Sequence, residues 1–242
     1  MDQIASRDQW MNRLHPLVKL VLTIIYITVT VSFYKYNLAG TLRMGIYPII
    51  LFILGDLSLK EAIYRLRIVL PLVCFMGILN PFFDHTAVGM IGGLVLTGGM
   101  LSMMTLILKG IFSVLAGYLL IATTSIEKIC YSLQMLHIPS PIVTEILLIY
   151  RYITVLLGEA SRIMQAYLLR APRQKGVHFK VWGSLAGQLL LRSMDRATEV
   201  YQSMTLRGFQ GRFYLDEELK LQGKDLLYLM AWVAVFILLK VI

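Results

Sequence analysis

The segments EASRIMQAYLLR (residues 159–170) and RSMDRATEVYQSMTLRG (residues 192–208) share one pattern, in which an apolar helical stripe ends at an arginine. Apolar side chains recur every three or four residues, as on one face of a helix: Ile153, Leu156, Ala160, Ile163 and Tyr167 in the first stripe, and Leu190, Met194, Ala197, Tyr201 and Met204 in the second. The next position on each stripe is a cation, Arg170 in the first and Arg207 in the second. The sequence therefore predicts two amphipathic helices that each end in an arginine.

The amino-acid composition is that of an integral membrane protein. Hydrophobic residues make up 57% of the 242 residues, charged residues 15%, and the mean hydropathy is +0.70. Soluble domains average about 45–50% apolar and about 25% charged residues. A membrane helix needs about 20 apolar residues, so the chain is long enough to cross a lipid bilayer several times. The net charge of +9 is explained by cations that flank apolar segments on the cytoplasmic side, so nucleic-acid binding is not expected.

Five apolar segments are predicted to cross the bilayer, at residues 17–34, 42–54, 68–83, 88–122 and 226–239. Pro48 is expected to kink the second segment, and Asn80-Pro81 is expected to form a turn at the end of the third. The fourth segment is longer than one crossing requires. It is either a single helix that continues towards the cytoplasm, which we favour, or two segments broken near Lys109.

Three parts of the chain follow from this pattern: N-terminal transmembrane helices over residues 1–122, a cytoplasmic or interfacial region of amphipathic helices over 123–222, and a C-terminal transmembrane helix over 223–242. The charged connector at residues 56–67 is expected on the cytoplasmic side together with the N-terminus. No removable signal peptide is expected from the polar start of the chain. The predicted fold class is all-α, a polytopic membrane protein with about five transmembrane helices. The membrane depth of residues 141–157 is left open.

The sequence offers little support for catalysis, and we expect neither a cofactor nor a metal site in this chain. It has no glycine-rich loop that ends in Lys-Ser or Lys-Thr, so a nucleotide-hydrolysing subunit is not indicated. The four histidines fall in separate regions without ligand spacing, and Cys74 and Cys130 form no spaced pair. Glu145 and Glu159 lie in amphipathic segments, which disfavours a proton relay across the membrane.

A cation in the last turn of a helix has an ordinary explanation, because it interacts favourably with the helix dipole by about 0.3–1 kcal/mol. Gly208 is likewise a common residue just after a helix end. What this explanation leaves open is why two similar helices carry the same planar, permanently charged group at the same point of the stripe. Such a group can bind carboxylates or backbone carbonyls of a partner in a bidentate manner.

The two segments are similar to motifs of a known family. The segment from Glu159 to Arg170 resembles the first coupling-helix motif of the transmembrane subunits of energy-coupling factor (ECF) transporters, the EcfT/CbiQ family. The segment from Arg192 to Gly211 resembles the second motif, and more closely. The family motif is Ala-Arg-Gly or a variant in each helix. This chain has Leu-Arg-Ala at one site and Leu-Arg-Gly at the other, so the central arginine is kept in both.

The resemblance covers most of the chain. It extends to residues 14–20, at the start of the first apolar segment, and to residues 123–139, before the coupling region. The opening, with Asp2, Ala5 and Trp10, resembles the cobalt-type CbiQ branch, and a nickel-type relative would look nearly the same.

The resemblance implies a non-catalytic coupling subunit of an ATP-driven importer for cobalt, nickel or a vitamin. The implied partners are two cytoplasmic ATP-binding cassette ATPases and a substrate-binding membrane component similar to CbiM, in the lipid bilayer. The residues implied to contact the ATPases are Arg170, Arg207, Leu169, Ala171, Leu206 and Gly208.

Two further interpretations remain open from the sequence. The chain could be a self-contained permease or channel whose path is lined by the glycine-rich segment 88–122. It could instead be a membrane scaffold whose basic region from Arg162 to Lys180 binds anionic lipids.

Overall fold

Most of the chain is helical in a computed structural model that describes residues 14–55, 59–83, 87–91, 94–171, 176–211, 213 and 221–241. The described elements are, in chain order, α1 (Pro16–Val31), α2 (Leu38–Met44), α3 (Ile46–Leu54), α4 (Leu59–Phe83), β1 (Ala87–Ile91), β2 (Leu94–Thr97), α5 (Gly98–Thr123), α6 (Ile126–Met135), α7 (Ser140–Arg170), a 3₁₀ turn (Phe179–Val181), α8 (Trp182–Leu206) and α9 (Gly223–Val241). The chain forms two compact units, Met1–Ser132 with Glu218–Ile242, and Leu133–Glu217. The prediction of three parts with boundaries at 122 and 222 stays a prediction.

Helix α5 lies at the centre of the first unit and packs against α1, α2, α3 and α4. Glycines allow two of these approaches. A Cβ atom on Gly110 of α5 would lie 2.9 Å from Cγ1 of Val73, and one on Gly45 would lie 2.7 Å from Cζ of Phe112. Small residues at helix contacts are typical of membrane bundles, in which close backbone approach takes the place of a hydrophobic driving force. Gly110 therefore permits the close packing of α5 against α4.

An aromatic cluster forms part of the buried core where α1, α3 and α9 meet. Tyr26 and Tyr47 stack with ring centroids 4.6 Å apart, and Phe236 packs edge-on against Tyr47 at 5.1 Å. The Tyr26 hydroxyl donates a hydrogen bond to the carbonyl of Met44 at 3.0 Å. The buried Tyr26 hydroxyl therefore has a hydrogen-bond acceptor, as a polar group in an apolar core requires.

Two lysines in the first unit, Lys19 and Lys109, donate to backbone carbonyls at helix ends. Lys19 Nζ donates to the carbonyl of Thr123 at 3.1 Å, at the C-terminus of α5. Lys109 Nζ donates to the carbonyls of Val31 and Phe33, where α1 ends. The last carbonyls of a helix have no partner within it and carry its negative dipole end, so each ammonium group satisfies them and is neutralised in part.

Length and apolarity suit several helices to a bilayer. Among the described residues, Gly98–Thr123 and Ser140–Arg170 are long and apolar enough to cross a membrane, and Pro16–Val31, Leu38–Leu54 and Val69–Ile78 are shorter apolar helices. Large apolar side chains point outward from the first unit, with Ile53 at 75% and Phe75 at 68% exposure. The chain is an all-α polytopic membrane protein, which confirms the predicted fold class. The number of five crossings stays a prediction.

One local expectation, the turn at Asn80-Pro81, was wrong. The second apolar segment is interrupted at Gly45, one turn before Pro48, because Pro48 has no N–H to donate to the carbonyl of Met44, which accepts from the Tyr26 hydroxyl instead. A kink at this point stays a prediction. Asn80-Pro81 lies inside α4 rather than in a turn, and the Asn80 side chain donates to Ser102 Oγ at 3.1 Å. The charged connector is helical from Leu59 onwards, since Lys, Glu, Ala and Arg favour helix.

The long apolar segment from residue 88 gives one helix, α5, without a break near Lys109. This outcome confirms the favoured single helix, although the helix begins only at Gly98, and its single crossing of the bilayer stays a prediction. The preceding residues form an antiparallel hairpin, β1 with β2, with a register irregularity between Ala87 and Gly89. Gly92-Gly93 lies between the strands in the sequence, and this dipeptide between apolar runs is a hairpin signal. The expected turn at Asp84-His85 lies outside the described residues.

Candidate functional site: the arginine-ended helices

Helices α7 and α8 form an antiparallel hairpin in the second unit. Glu159 in the middle of α7 is hydrogen-bonded to Arg192 of α8, and it also contacts Arg162 at 3.4 Å. One cavity between the helices is lined by residues 162–170 of α7 and residues 181–192 of α8. A second cavity is lined by residues 148–152 and residues 196–213. Residue numbers therefore rise along one helix as they fall along the other, with Glu159 between the cavities.

The first predicted helix end is found where the sequence places it. Arg170 is the last residue of α7, and Leu169 beside it is 83% exposed. Ala171 follows with φ −127° and ψ 62°, and its N–H donates to the carbonyls of Tyr167 at 3.1 Å and Leu168 at 3.2 Å. The helix thus ends without a left-handed residue, as an alanine at this position requires.

The second helix end has a different geometry. Arg207 caps α8, and Gly208 adopts φ +81°. The Gly208 N–H donates to the Thr205 carbonyl at 3.0 Å and the Phe209 N–H to the Met204 carbonyl at 3.0 Å, which is the Schellman arrangement. Leu206 is 89% exposed. Both helices therefore present an exposed leucine followed by an arginine, although only the second ends on the glycine that the motif leads one to expect.

Each terminal arginine lines a cavity together with two further arginines. The loop-end cavity lies at the end of the hairpin where α7 and α8 are connected. It has a volume of about 430 Å³, and its arginines are Arg162, Arg170 and Arg192. In the far-end cavity, about 490 Å³, they are Arg151, Arg196 and Arg207, together with the carboxylate of Glu199. The loop-end cavity takes two arginines from α7 and one from α8, and the far-end cavity takes one from α7 and two from α8. The two cavities therefore have the same number of arginines, with the contributions of α7 and α8 interchanged.

An apolar groove of about 380 Å³ adjoins the far-end cavity and shares Tyr152, Val200 and Met204 with it. Apart from Arg196, Ser193 and the tyrosine hydroxyls, its lining is hydrocarbon, thioether or aromatic ring. Ile153 and Leu156, from the first predicted stripe, are part of this lining. That stripe therefore faces α8, and its last members Ile163 and Tyr167 line the loop-end cavity.

The second predicted stripe holds only in part. Ala197, Tyr201 and Met204 line the groove, whereas Leu190 and Met194 are 61% and 59% exposed. In the middle of α8 the side chains that contact α7 are Arg192 and Ser193. The face of α8 that packs against α7 therefore differs there from the apolar stripe. A count of apolar residues could not find this, since the position facing Glu159 is a cation.

The structure separates the two terminal arginines. Arg170 lies at the connected end of the hairpin and Arg207 at the other end, and α8 alone has 25 residues, about 37 Å at about 1.5 Å rise per residue. Arg151, Arg192 and Arg196 were not predicted as site residues from the sequence. One signal was available, because Arg196 precedes Arg207 by three helical turns and therefore lies on the same face of α8.

Two of the histidines accept local hydrogen bonds through Nδ1. His15 Nδ1 accepts from the Leu17 N–H at 3.2 Å, and His178 Nδ1 accepts from the Lys180 N–H at 3.4 Å. His137 ends α6 with φ +61°. His85 lies outside the described residues. Within the part of the chain that the structure describes, no group of three or more His, Cys, Asp or Glu residues could hold a metal ion.

Comparison with known proteins places these features in a family. The family model for CbiQ, described as cobalt transport protein, matches residues 7–217. A putative fused cobalt transport protein CbiMQ from Methanocorpusculum labreanum is 31% identical over 102 residues, 42% of this chain and 17% of the relative. The nickel permease LarQ from Lactiplantibacillus plantarum is 28% identical over 116 residues, 48% of this chain and 42% of the relative. The matched region thus spans less than half the length of either relative. Because the family model covers most of the sequence, including both arginine-ended helices, the chain belongs to the CbiQ cobalt transport protein family.

Proposed function

We propose that this chain is the transmembrane coupling subunit of an ATP-driven importer of cobalt or nickel ions. Two cytoplasmic ATP-binding cassette ATPases bind the α7–α8 hairpin, and a CbiM-like membrane protein binds the metal ion. The N-terminus and the two arginine-bearing helix ends lie on the cytoplasmic side, in agreement with the positive-inside rule. The chain itself hydrolyses no ATP. The observation that carries the proposal is the pair of leucine-arginine helix ends at opposite ends of one antiparallel hairpin.

Each helix end has the chemistry of a docking element. A leucine that is more than 80% exposed, Leu169 or Leu206, precedes the guanidinium group of Arg170 or Arg207. A groove with an apolar wall and a carboxylate at its edge satisfies both groups, because the leucine loses contact with water and the guanidinium fork binds the carboxylate. Ala171 and Gly208 set the direction in which the chain leaves each groove.

The distance between the two ends supports two ATPase contacts rather than one. Helix α8 has 25 residues, about 37 Å at about 1.5 Å per residue, so its two ends lie too far apart for a single groove. The equal number of arginines in the two cavities, with the contributions of the helices interchanged, suits a pair of similar partners.

The middle of the hairpin supports the transmission of movement. Glu159 binds arginines from both helices, Arg162 in α7 and Arg192 in α8. Displacement of either helix end is then passed to the other helix through this contact. Helix α7 is continuous over 31 residues, so a displacement at Arg170 reaches its other end at Ser140 without a flexible joint.

The names of the relatives support the metal ion and the membrane partner. One relative is named a fused cobalt transport protein CbiMQ and the other a nickel permease. Fusion of a CbiM part with a CbiQ part indicates that the two act together in that protein. Exposed apolar side chains on the hairpin outside the groove, such as Leu157 at 62% and Leu191 at 65%, offer a surface for a second membrane protein.

The test is uptake of radioactive Co²⁺ or Ni²⁺ into proteoliposomes that contain this chain, the CbiM-like protein and the two ATPases. We expect ATP-dependent uptake by the complete assembly and no uptake by this chain alone. The double substitution Arg170→Ala with Arg207→Ala should abolish uptake and ATPase copurification while membrane insertion remains.

A charge-matched control is Arg67→Ala with Lys180→Ala, which removes two exposed cations outside the two helix ends. This control should leave uptake near the wild-type level. Normal assembly and normal uptake in the Arg170/Arg207 double variant would refute the coupling role, and uptake by the chain alone would favour a self-contained permease.

A further inference from the structure

We infer that the far-end cavity and the apolar groove together bind one anionic phospholipid, with the phosphate at Arg151 and Arg196 and an acyl chain in the groove. This inference goes beyond the coupling role and does not depend on it, since it concerns this chain and the bilayer alone.

The far-end cavity has an excess of positive charge, which favours an anionic ligand. Three guanidinium groups, from Arg151, Arg196 and Arg207, line it against one carboxylate, that of Glu199. In the loop-end cavity, by contrast, Arg162 and Arg192 both bind Glu159. Arg151 and Arg207 form no ion pair with any carboxylate that the structure describes. A phosphate diester accepts several N–H bonds at once from groups arranged in this way.

The mainly apolar lining of the groove favours a hydrocarbon ligand. Its α7 side includes Leu148 and Ile153, and its α8 side includes Ala197 and Val200. At about 380 Å³ it has the size of a small-molecule site. A soluble phosphate would leave this groove filled with water, whereas an acyl chain would cover apolar side chains such as Ile149 that are otherwise exposed.

The continuity of the two sites selects a phospholipid from among the possible ligands. Tyr152, Val200 and Met204 line both the cationic cavity and the groove. A ligand that fills both sites is therefore anionic at one end and apolar at the other. In a membrane protein the abundant molecule of this kind is an anionic lipid, and each arginine near an anionic headgroup adds attraction. A zwitterionic lipid with the same chains carries a cation beside its phosphate and is bound less well.

The experiment is native mass spectrometry of the full chain, purified in detergent and incubated with phosphatidylglycerol or with phosphatidylcholine of the same acyl chains. We expect one retained phosphatidylglycerol and at least about tenfold weaker retention of phosphatidylcholine. Arg151→Gln with Arg196→Gln should weaken phosphatidylglycerol retention on the order of 30-fold, given the contribution of each arginine near a lipid surface. Arg207 is left unchanged, so a failure of the coupling role does not affect the result.

Two controls separate the site from general charge and general apolarity. Arg162→Gln with Arg170→Gln removes the same charge at the loop-end cavity and should leave lipid retention unchanged. Ala197→Trp fills the groove and should abolish retention, whereas Ala186→Trp, at an exposed position of the same helix, should not.

Equal retention of the two lipids by the wild-type chain would overturn the inference, and this comparison needs no variant to fold. Equal loss in both arginine double variants would also overturn it, as would displacement of the lipid by glycerol phosphate at concentrations similar to those of phosphatidylglycerol.

Discussion

Arg207 differs from a lysine at the same place in the shape of its charged group as well as in its charge. It follows an exposed leucine and precedes a left-handed glycine, so its side chain leaves a helix end whose backbone is fixed. We predict that Arg207→Lys lowers ATP-dependent metal uptake by tenfold or more, because the ammonium group cannot bind a carboxylate in the bidentate manner of guanidinium. The measurement is uptake at equal protein in the reconstituted assembly.

Lys180→Arg is the reverse change at an exposed position near the first helix end, and it should have no effect. Wild-type uptake by Arg207→Lys would show that only the charge at this position matters.

Gly208 provides a second test at this scale. Its φ of +81° lies in the left-handed region, and no atom would contact an added Cβ within 4 Å. Gly208→Ala should therefore cost about 1 kcal/mol through backbone strain alone, seen as a lower melting temperature of the purified chain. Gly187→Ala, inside α8 and with the same free space, should instead stabilise the helix by about 0.5–1 kcal/mol. If both variants melt at the same temperature, the Schellman end of α8 does not form in solution.

At the level of elements, the sequence predicted the helices of the hairpin well and the ends of the membrane helices less well. The periodicity of α7 held from Ile153 to Arg170, because that stripe packs against α8. The stripe of α8 failed at Leu190 and Met194, because the side chain facing α7 there is Arg192, which binds Glu159. An apolar pattern cannot reveal a contact made by an ion pair.

The wrong expectation at Asn80-Pro81 has a physical cause. A proline commonly ends a helix in water, and Pro81 was expected to do so here. In a membrane helix, neighbouring helices satisfy the backbone groups that a proline frees. The hairpin before Gly98 was missed because the apolar side chains of residues 88–97 suit a membrane crossing as well as they suit two strands.

The contact between α4 and α5 predicts an unequal effect of two glycine substitutions. A Cβ on Gly110 would lie 2.9 Å from Cγ1 of Val73, whereas Gly117 has no atom within 4 Å of its Cβ position. Gly110→Ala should destabilise the first unit by about 1–3 kcal/mol, because the two helices must move apart. Gly117→Ala should be neutral or stabilising. Thermal melting in detergent compares the two, and similar melting temperatures would contradict the close α4–α5 packing.

For the whole molecule, composition was enough to identify a polytopic membrane protein, since apolar and charged fractions depart together from those of soluble chains. The candidate site was predicted at its two terminal arginines and not at the four arginines beside them. The relation between Arg170 and Arg207 could not be predicted either, because the pattern of each helix contains no information on whether its partner runs in the same or in the opposite direction.

Orientation in the membrane is testable by cysteine labelling. We predict that Phe179→Cys reacts with a membrane-impermeant maleimide only after the cells are permeabilised, and that Tyr34→Cys reacts in intact cells. Both side chains are well exposed, at 87% and 67%, so access depends on the side of the membrane. The background variant replaces Cys74 and Cys130 by alanine. Labelling of Phe179→Cys in intact cells would reverse the proposed orientation of the chain.

The opposite placement of the two arginine ends has a mechanical consequence. A stiff body held at two points about 37 Å apart acts as a lever, and torque develops only when both points are held. If one of the two ATPase contacts is lost, the remaining ATPase moves the hairpin without producing torque. Arg170→Ala and Arg207→Ala should each reduce metal uptake nearly as far as the double variant does. Independent effects would contradict the lever: the fraction of wild-type uptake left in the double variant would then equal the product of the fractions left in the two single variants.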